Sequence, residues 1–546
     1  EQNNDLYLNM NKNFGTDGEI SFSGLLGYNQ RRSSFQSIYA STNGGLVVPG
    51  VYALSNSVAA PAAPSEGSNT IGVDGIYGQA SFGYQNFLYV DLSARQDVSS
   101  TLPVENNTYF YPAASLSLIW SEFVDSDILS FGKIRANWAN VGSDAPANAL
   151  VDAYGIGTPF NGTTLASAPS TQNNSTLLPE NTASTELGLE IKMFDNRFGF
   201  DVSAYQRSTT NQILPAQVST ATGTYYKYVN AGQVDNEGFE VSSYITPVKT
   251  KDFQWDVNIN WSTNDNTVVS LFGDSESLLL GSVQGGVNMT ARVGQSYGTL
   301  EGTQYVRAGG DGAPLVYDWS SSRGGARYYT GDVGVIGNVQ ADWRGGINNA
   351  ISYKNIRLSA LVDAQMGGNF FSLDTYYGYG TGVYDFQAGT NAAGNPIRTN
   401  VEDGGGLTFE EVAYLGIETP QQWDGVTVDA DGNPVGTENS TPMWMNDYGN
   451  AMGWALGGPK EMHIHDASFV KLREVALTYT LPTSALAGLP VAGVDVSFIG
   501  RNLAILYKNT PWSDPEAGLA AGNLQGYQSG AYPTLREVGV NLRVKF

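Results

Sequence analysis

Apolar and polar residues alternate along most of this chain with a period of two. In the last segment Val538, Val540 and Leu542 alternate with polar or small residues, and the stretches 253–261 and 88–95 repeat the pattern. Successive side chains of a β-strand point to opposite faces, so each such stretch predicts a strand with one apolar and one polar face. The chain is therefore predicted to be all-β, with few and short helices.

About fifteen segments follow this pattern, and two kinds of connection join them. Tight links, such as 85–86, 195–196 and 354–355, alternate with long spans. An antiparallel meander with short turns at one end and long loops at the other is typical of a transmembrane β-barrel of the outer membrane. The predicted strands cover approximately 4–14, 18–30, 72–84, 87–99, 107–121, 129–142, 183–194, 197–213, 225–247, 253–266, 338–353, 356–371, 462–481, 491–506 and 532–546. The predicted long outward loops cover approximately 31–71, 143–182, 267–337, 372–459 and 507–531.

The amino-acid composition excludes several classes of partner and of functional site. The chain has 546 residues, 28 Lys and Arg against 52 Asp and Glu, a net charge of −24, two histidines and no cysteine. A charge of −24 argues against nucleic acid as a partner. The absence of cysteine excludes disulfides, thiolate metal sites and a cysteine nucleophile. No apolar run reaches about 18 residues, which excludes transmembrane helices.

The first residues, 1–5, are polar and acidic, unlike a signal peptide, which indicates a cytosolic chain or one that lacks its natural N-terminus. Lipid offers no hydrogen bonds to the backbone, so a spanning sheet must close on itself. About fifteen antiparallel strands cannot close in this way, because single-chain bacterial barrels have even strand numbers. The expectation is that residues 1–546 are the C-terminal part of a larger barrel.

Aromatic residues stand near many predicted strand ends, for example Tyr84, Phe110, Trp120 and Tyr479. Girdles of aromatic residues at the two membrane interfaces give this pattern. The alternative is that they are core aromatics of a soluble β protein. The C-terminal Phe546, which closes an alternating strand, resembles the terminal signal of outer-membrane proteins.

Several strings resemble one protein family. Leu-Pro-Glu at 178–180, followed by Glu-Leu-Gly at 186–188, resembles a motif of TonB-dependent outer-membrane transporters. Asn-Ala-Gly-Gln-Val-Asp-Asn-Glu-Gly-Phe-Glu at 230–240 is similar to a segment of their SusC/RagA branch. Further strings that resemble that branch, in the same order along the chain, are 91–100 with 109–112, 343–349, 469–474 and 500–503.

The resemblance implies a fold, a location and partners. Such transporters place an N-terminal plug domain inside a barrel of about 22 strands. They import oligosaccharides or peptides across the outer membrane with energy from TonB, and a SusD-like surface lipoprotein caps them. Residues 1–546 would then hold the last strands of the barrel, without the plug and about seven strands. Partners would be TonB through the missing part, the SusD-like lipoprotein, membrane lipid and the remaining strands and plug, but no nucleic acid.

Candidate substrate contacts lie in the predicted outward loops. Loop 372–459 is rich in tyrosine and tryptophan interleaved with glycine, asparagine and acidic residues, and Trp512 lies in the last outward loop. Flat rings beside polar groups suit sugar faces or peptide backbones. Packing of the loop against its neighbours or against a lid protein is the alternative for each ring. The predicted substrate-binding residues are Tyr376, Tyr377, Tyr379, Trp423, Trp444 and Trp512.

Metal and catalytic motifs are sparse. His463 and His465 would share one face of a strand, where both rings could bind a metal ion. The alternative is that this face is simply the polar, lumen-facing side of the strand, with Ile464 pointing to lipid. Asp429 and Asp431 have the spacing of the first ligands of a Ca²⁺-binding loop, although a simple turn explains them as well. No cofactor is expected beyond a possible structural Ca²⁺.

The sequence thus favours the barrel of a SusC-like importer that binds and passes its substrate without catalysing a reaction. A passive porin or a structural barrel subunit of an outer-membrane complex is one alternative. A soluble, secreted carbohydrate-binding β protein is the other.

Overall fold

The alternating segments form long antiparallel strands, as predicted. A computed structural model describes residues 1–15, 18–310, 312, 314–318, 326–407, 426–427, 458–488, 490–519, 522–530, 532 and 534–546. Its strands pair in chain order in one large sheet. They are β1 (Gln2–Phe14), β2 (Ile20–Tyr39), β3 (Ser65–Tyr84), β4 (Leu88–Ser99), β5 (Thr108–Leu118), β6 (Leu129–Ser143), β7 (Glu180–Met193), β8 (Phe198–Gln217), β9 (Tyr226–Lys249), β10 (Phe253–Ser270), β11 (Trp343–Tyr353), β12 (Ile356–Met366), β13 (Phe469–Thr480), β14 (Gly493–Lys508) and β15 (Glu537–Lys545).

The chain divides into two units. Unit 1 comprises residues 1–237 and 269–276, and unit 2 comprises residues 238–268 and 277–546. Unit 1 thus carries β1 to β8 and the first half of β9, and unit 2 carries the second half of β9 and most of the later sheet strands. All fifteen predicted strands are present in the described part of the chain.

Tight turns join many neighbouring strands, which confirms the predicted short links. Between β3 and β4, Gln85 and Asn86 have φ values of 46° and 60°, and the Phe87 N–H donates to the Tyr84 carbonyl at 3.1 Å. Positive φ at both central residues matches the twist of the flanking strands. Lys354, with φ 51°, turns the chain between β11 and β12. The predicted link at 15–17 falls partly outside the described residues.

One face of the strands is an exposed apolar surface. Ile259 and Ile347 are partners across β10 and β11, and their exposures are 39% and 47%. Phe498 and Val540 are partners across β14 and β15, with exposures of 60% and 67%. Leaving such side chains in water forgoes about 1.5–3 kcal/mol each, so a continuous row of them indicates a lipid-facing surface. The apolar rows are not buried against another sheet, as they would be in a soluble sandwich.

The opposite face of the strands is polar and hydrogen-bonded. In unit 1, Arg135 donates to Asp201 at 2.7 Å and to Ser203 at 2.5 Å. In unit 2, Asp256 accepts from the Thr246 hydroxyl at 2.9 Å. On the same face in unit 1, Asp91 accepts a hydrogen bond from Ser81, and Arg95 pairs with Asp97 at 2.8 Å.

Short strands and helices lie in the connections between these long strands. Those of unit 1 are the paired strands Asn43–Leu46 and Ser57–Ala59, the paired strands Gly155–Phe160 and Thr163–Ser167, the strand Thr171–Gln172 and the 3-10 helices Leu54–Asn56, Trp120–Phe123 and Thr220–Thr222. Unit 2 has a four-stranded sheet of Ser277–Ser282, Asn288–Arg292, Thr299–Tyr305 and Thr330–Asn338. Its two three-stranded sheets are Ala326–Tyr328, Leu315–Asp318 and Val426–Thr427, and Ile464–Asp466, Asn369–Ser372 and Tyr527–Gln528. Its helices are α1 (Leu373–Thr381) and the 3-10 helices Ala308–Gly310, Asp385–Gln387, Val401–Asp403, Lys460–His463, Thr483–Leu486 and Gly522–Leu524.

Three predicted strand boundaries are wrong for one physical reason. The predicted strand 356–371 ends at Met366, and 462–481 begins at Phe469, because Asn369–Ser372 and Ile464–Asp466 pair with each other in a separate loop sheet. The predicted strand 338–353 begins at Trp343 for a similar reason, since Thr330–Asn338 pairs with Thr299–Tyr305. The predicted loop 31–71 is also shorter, because β2 extends to Tyr39 and β3 begins at Ser65.

Helices in the described ranges are all short. None of them has the length and apolar character needed to cross a bilayer.

Candidate functional site

The longest helix in the described part of unit 2 presents three of the predicted tyrosines. The Ser372 hydroxyl caps α1 by accepting from the Thr375 N–H at 3.2 Å, and Gly382 ends it with φ 67°. At Gly378 a Cβ would lie 2.6 Å from the Tyr384 ring, so a glycine there allows this ring to pack directly on the helix. The local sequence thus places Tyr384 beside α1.

An apolar core holds α1 in place. It combines residues from three separate connections, and its central ring, Phe371, is fully buried. The Tyr527 hydroxyl donates to the Val287 carbonyl at 2.7 Å, and burial raises the pKa of Tyr527 to about 12. The core residues are Val287, Met289, Leu300, Phe371, Leu373, Tyr376 and Tyr527. Loops that share a core of this kind hold each other in fixed positions, and we call these packed loops the loop platform.

A cavity of about 460 Å³ opens beside α1, and we call it the aromatic pocket. Its rings are Tyr377, Tyr384 and Trp512. The Tyr384 and Trp512 centroids are 4.3 Å apart with a 30° tilt, and Tyr379 stands perpendicular to Trp512 at 5.8 Å. Its other lining residues are Ser372, Leu373, Asp374, Thr375, Val383, His465, Thr510, Pro511, Ser513, Ser529 and Gly530. Rings and hydroxyls therefore share one concave surface.

Polar groups in the aromatic pocket are held in fixed positions. Asp374 accepts from the Gly530 N–H at 2.7 Å, which fixes this carboxylate at the start of α1. Burial raises the pKa of Tyr384 to about 12, so its phenol is neutral at physiological pH. A preorganised pocket with a few convergent polar groups is the common form of a small-ligand site.

The predicted substrate-binding residues separate into three groups. Tyr377, 37% exposed, and Trp512 line the aromatic pocket, where contact with substrate stays a prediction. Tyr376 and Tyr379 are 7% and 0% exposed, and they pack inside the loops in the structural role that the sequence left open for them. Trp423 and Trp444 lie outside the described residues. Asp374 and Ser529 also line the aromatic pocket, and no sequence pattern marks them, because their place in it depends on the position of α1.

The two histidines are buried in the loops. The prediction that they lie on a lumen-facing strand is therefore wrong. The Thr375 hydroxyl lies 3.1 Å from His463 Nδ1 and 3.3 Å from His465 Nε2. Burial lowers the pKa of His465 to about 4, so its ring is neutral. Ile464 packs against the apolar core instead of facing lipid.

Metal-ligand clusters of three or more side chains do not occur among the described residues. The Ca²⁺ candidates Asp429 and Asp431 lie outside that part of the chain, so this prediction stays open.

A charged cluster fixes the segment that carries Trp512. Lys471 on β13 contacts both Asp514 and Glu516 at 2.5 Å. Arg473 pairs with Asp363 on β12 at 2.7 Å and also with Glu516. Burial alone would raise the pKa of Asp514, but hydrogen bonds from Lys471 and Thr534 hold it below its usual value. Trp512 is therefore anchored two residues away from a buried ion pair.

The family model and the related proteins that match this chain agree on one family. The family model described as "TonB dependent receptor-like, beta-barrel" matches residues 1–349. TonB-dependent receptor P3 of Formosa agariphila is 24% identical, and the match covers 99% of this chain and 52% of that protein. TonB-dependent receptor SusC of Bacteroides thetaiotaomicron is 23% identical, over 74% of this chain and 37% of that protein.

Solved structures agree on the fold. The structure of the RagAB peptide transporter matches with a TM-score of 0.73 and 18% identity, over 100% of this chain and 55% of the matched chain. This chain spans about half the length of the first curated relatives that it matches.

Proposed function

Because the chain belongs to the TonB-dependent receptor β-barrel family of the outer membrane, we propose that it forms part of the wall of a SusC-type nutrient importer. Its role is to bind an oligosaccharide or a peptide and to pass it to the periplasm, without a covalent step. One observation carries the proposal. The strands have rows of exposed apolar residues such as Ile259 and Ile347 on one face, and a polar, hydrogen-bonded surface on the opposite face. Such a wall separates lipid from water.

The aromatic pocket is the proposed contact for substrate. Trp512, Tyr384 and Tyr377 offer ring faces, and Asp374 with the neighbouring hydroxyls offers hydrogen bonds. The pocket belongs to the loop platform, where a fixed geometry reduces the entropy lost when a ligand binds. Tyr377 and Trp512 are the residues of the sequence prediction that this proposal retains.

Energy and a lid are proposed to come from other components. The described residues contain no nucleotide-binding motif, and family membership supports coupling to TonB through the part of the longer polypeptide outside this chain. Resemblance to SusC and to the RagAB transporter supports a SusD-like lipoprotein as the lid. The strands that complete the barrel beyond β1 and β15 are likewise proposed to belong to the longer polypeptide.

Uptake by the full-length protein tests the proposal. The gene is deleted in its native bacterium, and growth is measured on single oligosaccharides and on peptides as the limiting nutrient. We expect loss of growth on one class of nutrient, restored by the complete gene. Uptake should also stop when a protonophore collapses the proton-motive force. Uptake that survives the protonophore would support a passive porin and refute the importer.

A separate purification tests the lid. The tagged full-length protein is extracted in detergent from cells labelled with a radioactive fatty acid. We expect one labelled lipoprotein to copurify in a fixed ratio.

A further inference from the structure

Unit 1 contains a polar cavity of about 670 Å³, which we call the tyrosine–aspartate pocket. It lies on the face of β1 to β6 opposite the exposed apolar residues, and its central groups are Asn29, Arg95, Asp97 and Tyr111. No residue of the sequence prediction for substrate binding belongs to it.

Three glycines make space for this pocket. A Cβ at Gly75 would lie 2.1 Å from Asp97 Oδ1, one at Gly27 would lie 2.4 Å from the Tyr77 ring, and one at Gly142 would lie 2.4 Å from the Tyr109 ring. Glycine in a strand interior weakens the strand, and it often marks a place where another group must approach the backbone closely. The strands thus carry glycine where the pocket's rings and ion pair lie against them.

A buried hydrogen-bond network fixes the polar groups. Arg95 Nε donates to both oxygens of Asp97, at 2.8 and 3.0 Å, and Tyr111 donates to the same carboxylate. Arg95 Nη2 donates to Asn29 Oδ1 at 3.3 Å, and Asn29 Nδ2 donates to Asp5 Oδ1 at 2.8 Å. Asp97 is 5% exposed and Asn29 is 9% exposed. These groups form a built site rather than a loose patch of surface charges.

Ring faces stand beside the network. The Tyr109 and Tyr111 rings are stacked, with centroids 5.8 Å apart and an angle of 20°. The Arg95 guanidinium lies 5.4 Å from the centre of the Tyr77 ring. Flat faces and planar hydrogen-bonding groups therefore meet in one cavity.

The charges of the lining select the class of ligand. Asp5, Asp97 and Asp144 oppose Arg31 and Arg95, so three negative and two positive groups leave a net charge of −1. An anion meets a net negative charge, and a cation meets Arg31 and Arg95 beside an Asp97 carboxylate that Arg95 already neutralises. An apolar side chain would desolvate the buried polar groups without replacing their hydrogen bonds. A neutral ligand whose hydroxyls both donate and accept satisfies carboxylates and guanidinium groups together.

We propose that the tyrosine–aspartate pocket is a second substrate-binding site, which takes a neutral, hydroxyl-rich ring such as one sugar residue of an oligosaccharide. This inference rests on the importer function proposed above, and it assigns the sugar rather than the peptide as cargo.

Calorimetry on the full-length protein in detergent tests the second site. The probes are maltohexaose, cellohexaose, xylohexaose and mannohexaose, with a tryptic digest of casein as the peptide probe. We expect at least one hexasaccharide to bind, and Asp97→Asn to weaken that binding about tenfold, as the loss of a charged hydrogen bond implies. The matched control is Asp74→Asn, since Asp74 pairs with Arg32 at 2.7 Å on the opposite face of the same strands. Asp74→Asn should leave the affinity unchanged.

A second variant covers the case in which Asp97→Asn fails to fold. Ser143 lines the cavity and is exposed, so Ser143→Trp fills the space without removing a member of the network. Three results would each overturn the proposal. They are unchanged saccharide binding by folded Ser143→Trp, no binding of any hexasaccharide to the wild type, and a loss of binding in the variants that is seen with the casein peptides alone. The importer function fails separately, through uptake that survives the protonophore.

Discussion

Lys471 Nζ lies 2.5 Å from Asp514 Oδ1, and these two side chains are only 4% and 5% exposed. The pair joins β13 to the connection that follows β14. Asp514 also accepts from the Thr534 hydroxyl at 2.6 Å, and Trp512 lies two residues before it. A buried ion pair therefore determines where a wall of the aromatic pocket stands.

Removal of Lys471 should release this connection. Lys471→Met leaves Asp514 buried without its cation, a change that costs about 3–5 kcal/mol in comparable buried pairs. We expect new protease cleavage within residues 509–536 and a lower thermal midpoint of the full-length protein. The double variant Lys471→Met, Asp514→Leu should recover part of the loss, because no buried charge remains.

The control for this experiment is Arg292→Met. Arg292 pairs with Glu301 at 3.0 Å and is 40% exposed, so its pair should contribute at most about 1 kcal/mol. Equal protease sensitivity of the Arg292 and Lys471 variants would show that burial of the pair has no special effect.

Acidification should loosen the histidine-containing loop sheet. Burial holds the pKa of His465 at about 4, below the value near 6.5 of an unfolded histidine. Between these two values the unfolded segment binds a proton that the folded segment does not. Stability is therefore complete above about pH 6.5 and falls as the pH drops towards 4, by up to about 1.4 kcal/mol per pH unit.

Amide hydrogen exchange measures this effect. We expect residues 464–466 and 369–372 to exchange faster at pH 5 than at pH 7.5, after correction for the intrinsic rate. His465→Gln should abolish the difference. The pKa of Asp514 is lowered in the folded state, so its contribution is lost only below the unfolded value of about 4, outside this window. Equal corrected rates at both pH values would contradict a buried, neutral His465.

Loss of the Trp512 ring should weaken substrate uptake. Aromatic contacts of this kind contribute about 0.5–1.5 kcal/mol beyond the buried area, so Trp512→Ala should raise the substrate concentration for half-maximal uptake about tenfold. Tyr532→Ala is the control, since Tyr532 belongs to the same connection but is 93% exposed. Wild-type uptake by a folded Trp512→Ala variant would remove the aromatic pocket from the substrate path.

Sequence alone predicted the strands well, because the period of two is a local property that records which face meets lipid. All fifteen strands were found, including β15 with its alternation from Val538 to Val544. The errors occur where alternation continues into a loop strand. Asn369–Ser372 reads as an extension of β12, and only its pairing with Ile464–Asp466 shows otherwise.

The site was predicted only in part, for a related reason. Tyr377 and Tyr379 are two residues apart in α1, yet one is 37% exposed and the other is fully buried. Their difference depends on the core formed by distant connections and on the Trp512 segment that Lys471 anchors. The tyrosine–aspartate pocket was missed because its glycines, Gly27, Gly75 and Gly142, are spread over three strands and become one feature only through strand register.

A charge on the lipid-facing side should prevent assembly, and the same charge one residue away should not. Ile347 lies near the middle of β11, is 47% exposed, and pairs with Ile259 on the apolar face. Arginine on a lipid face costs about 2–4 kcal/mol at the bilayer midplane. Ile347→Arg should therefore lower the amount of folded full-length protein in the outer membrane, measured by its heat-modifiable mobility on gels. Asn348→Arg places the same side chain on the polar face, where water can hydrate it, and should leave the folded amount near wild type. Similar losses in both variants would mean that the two faces of β11 do not meet lipid and water respectively, and the assignment of the apolar rows to the bilayer would be wrong.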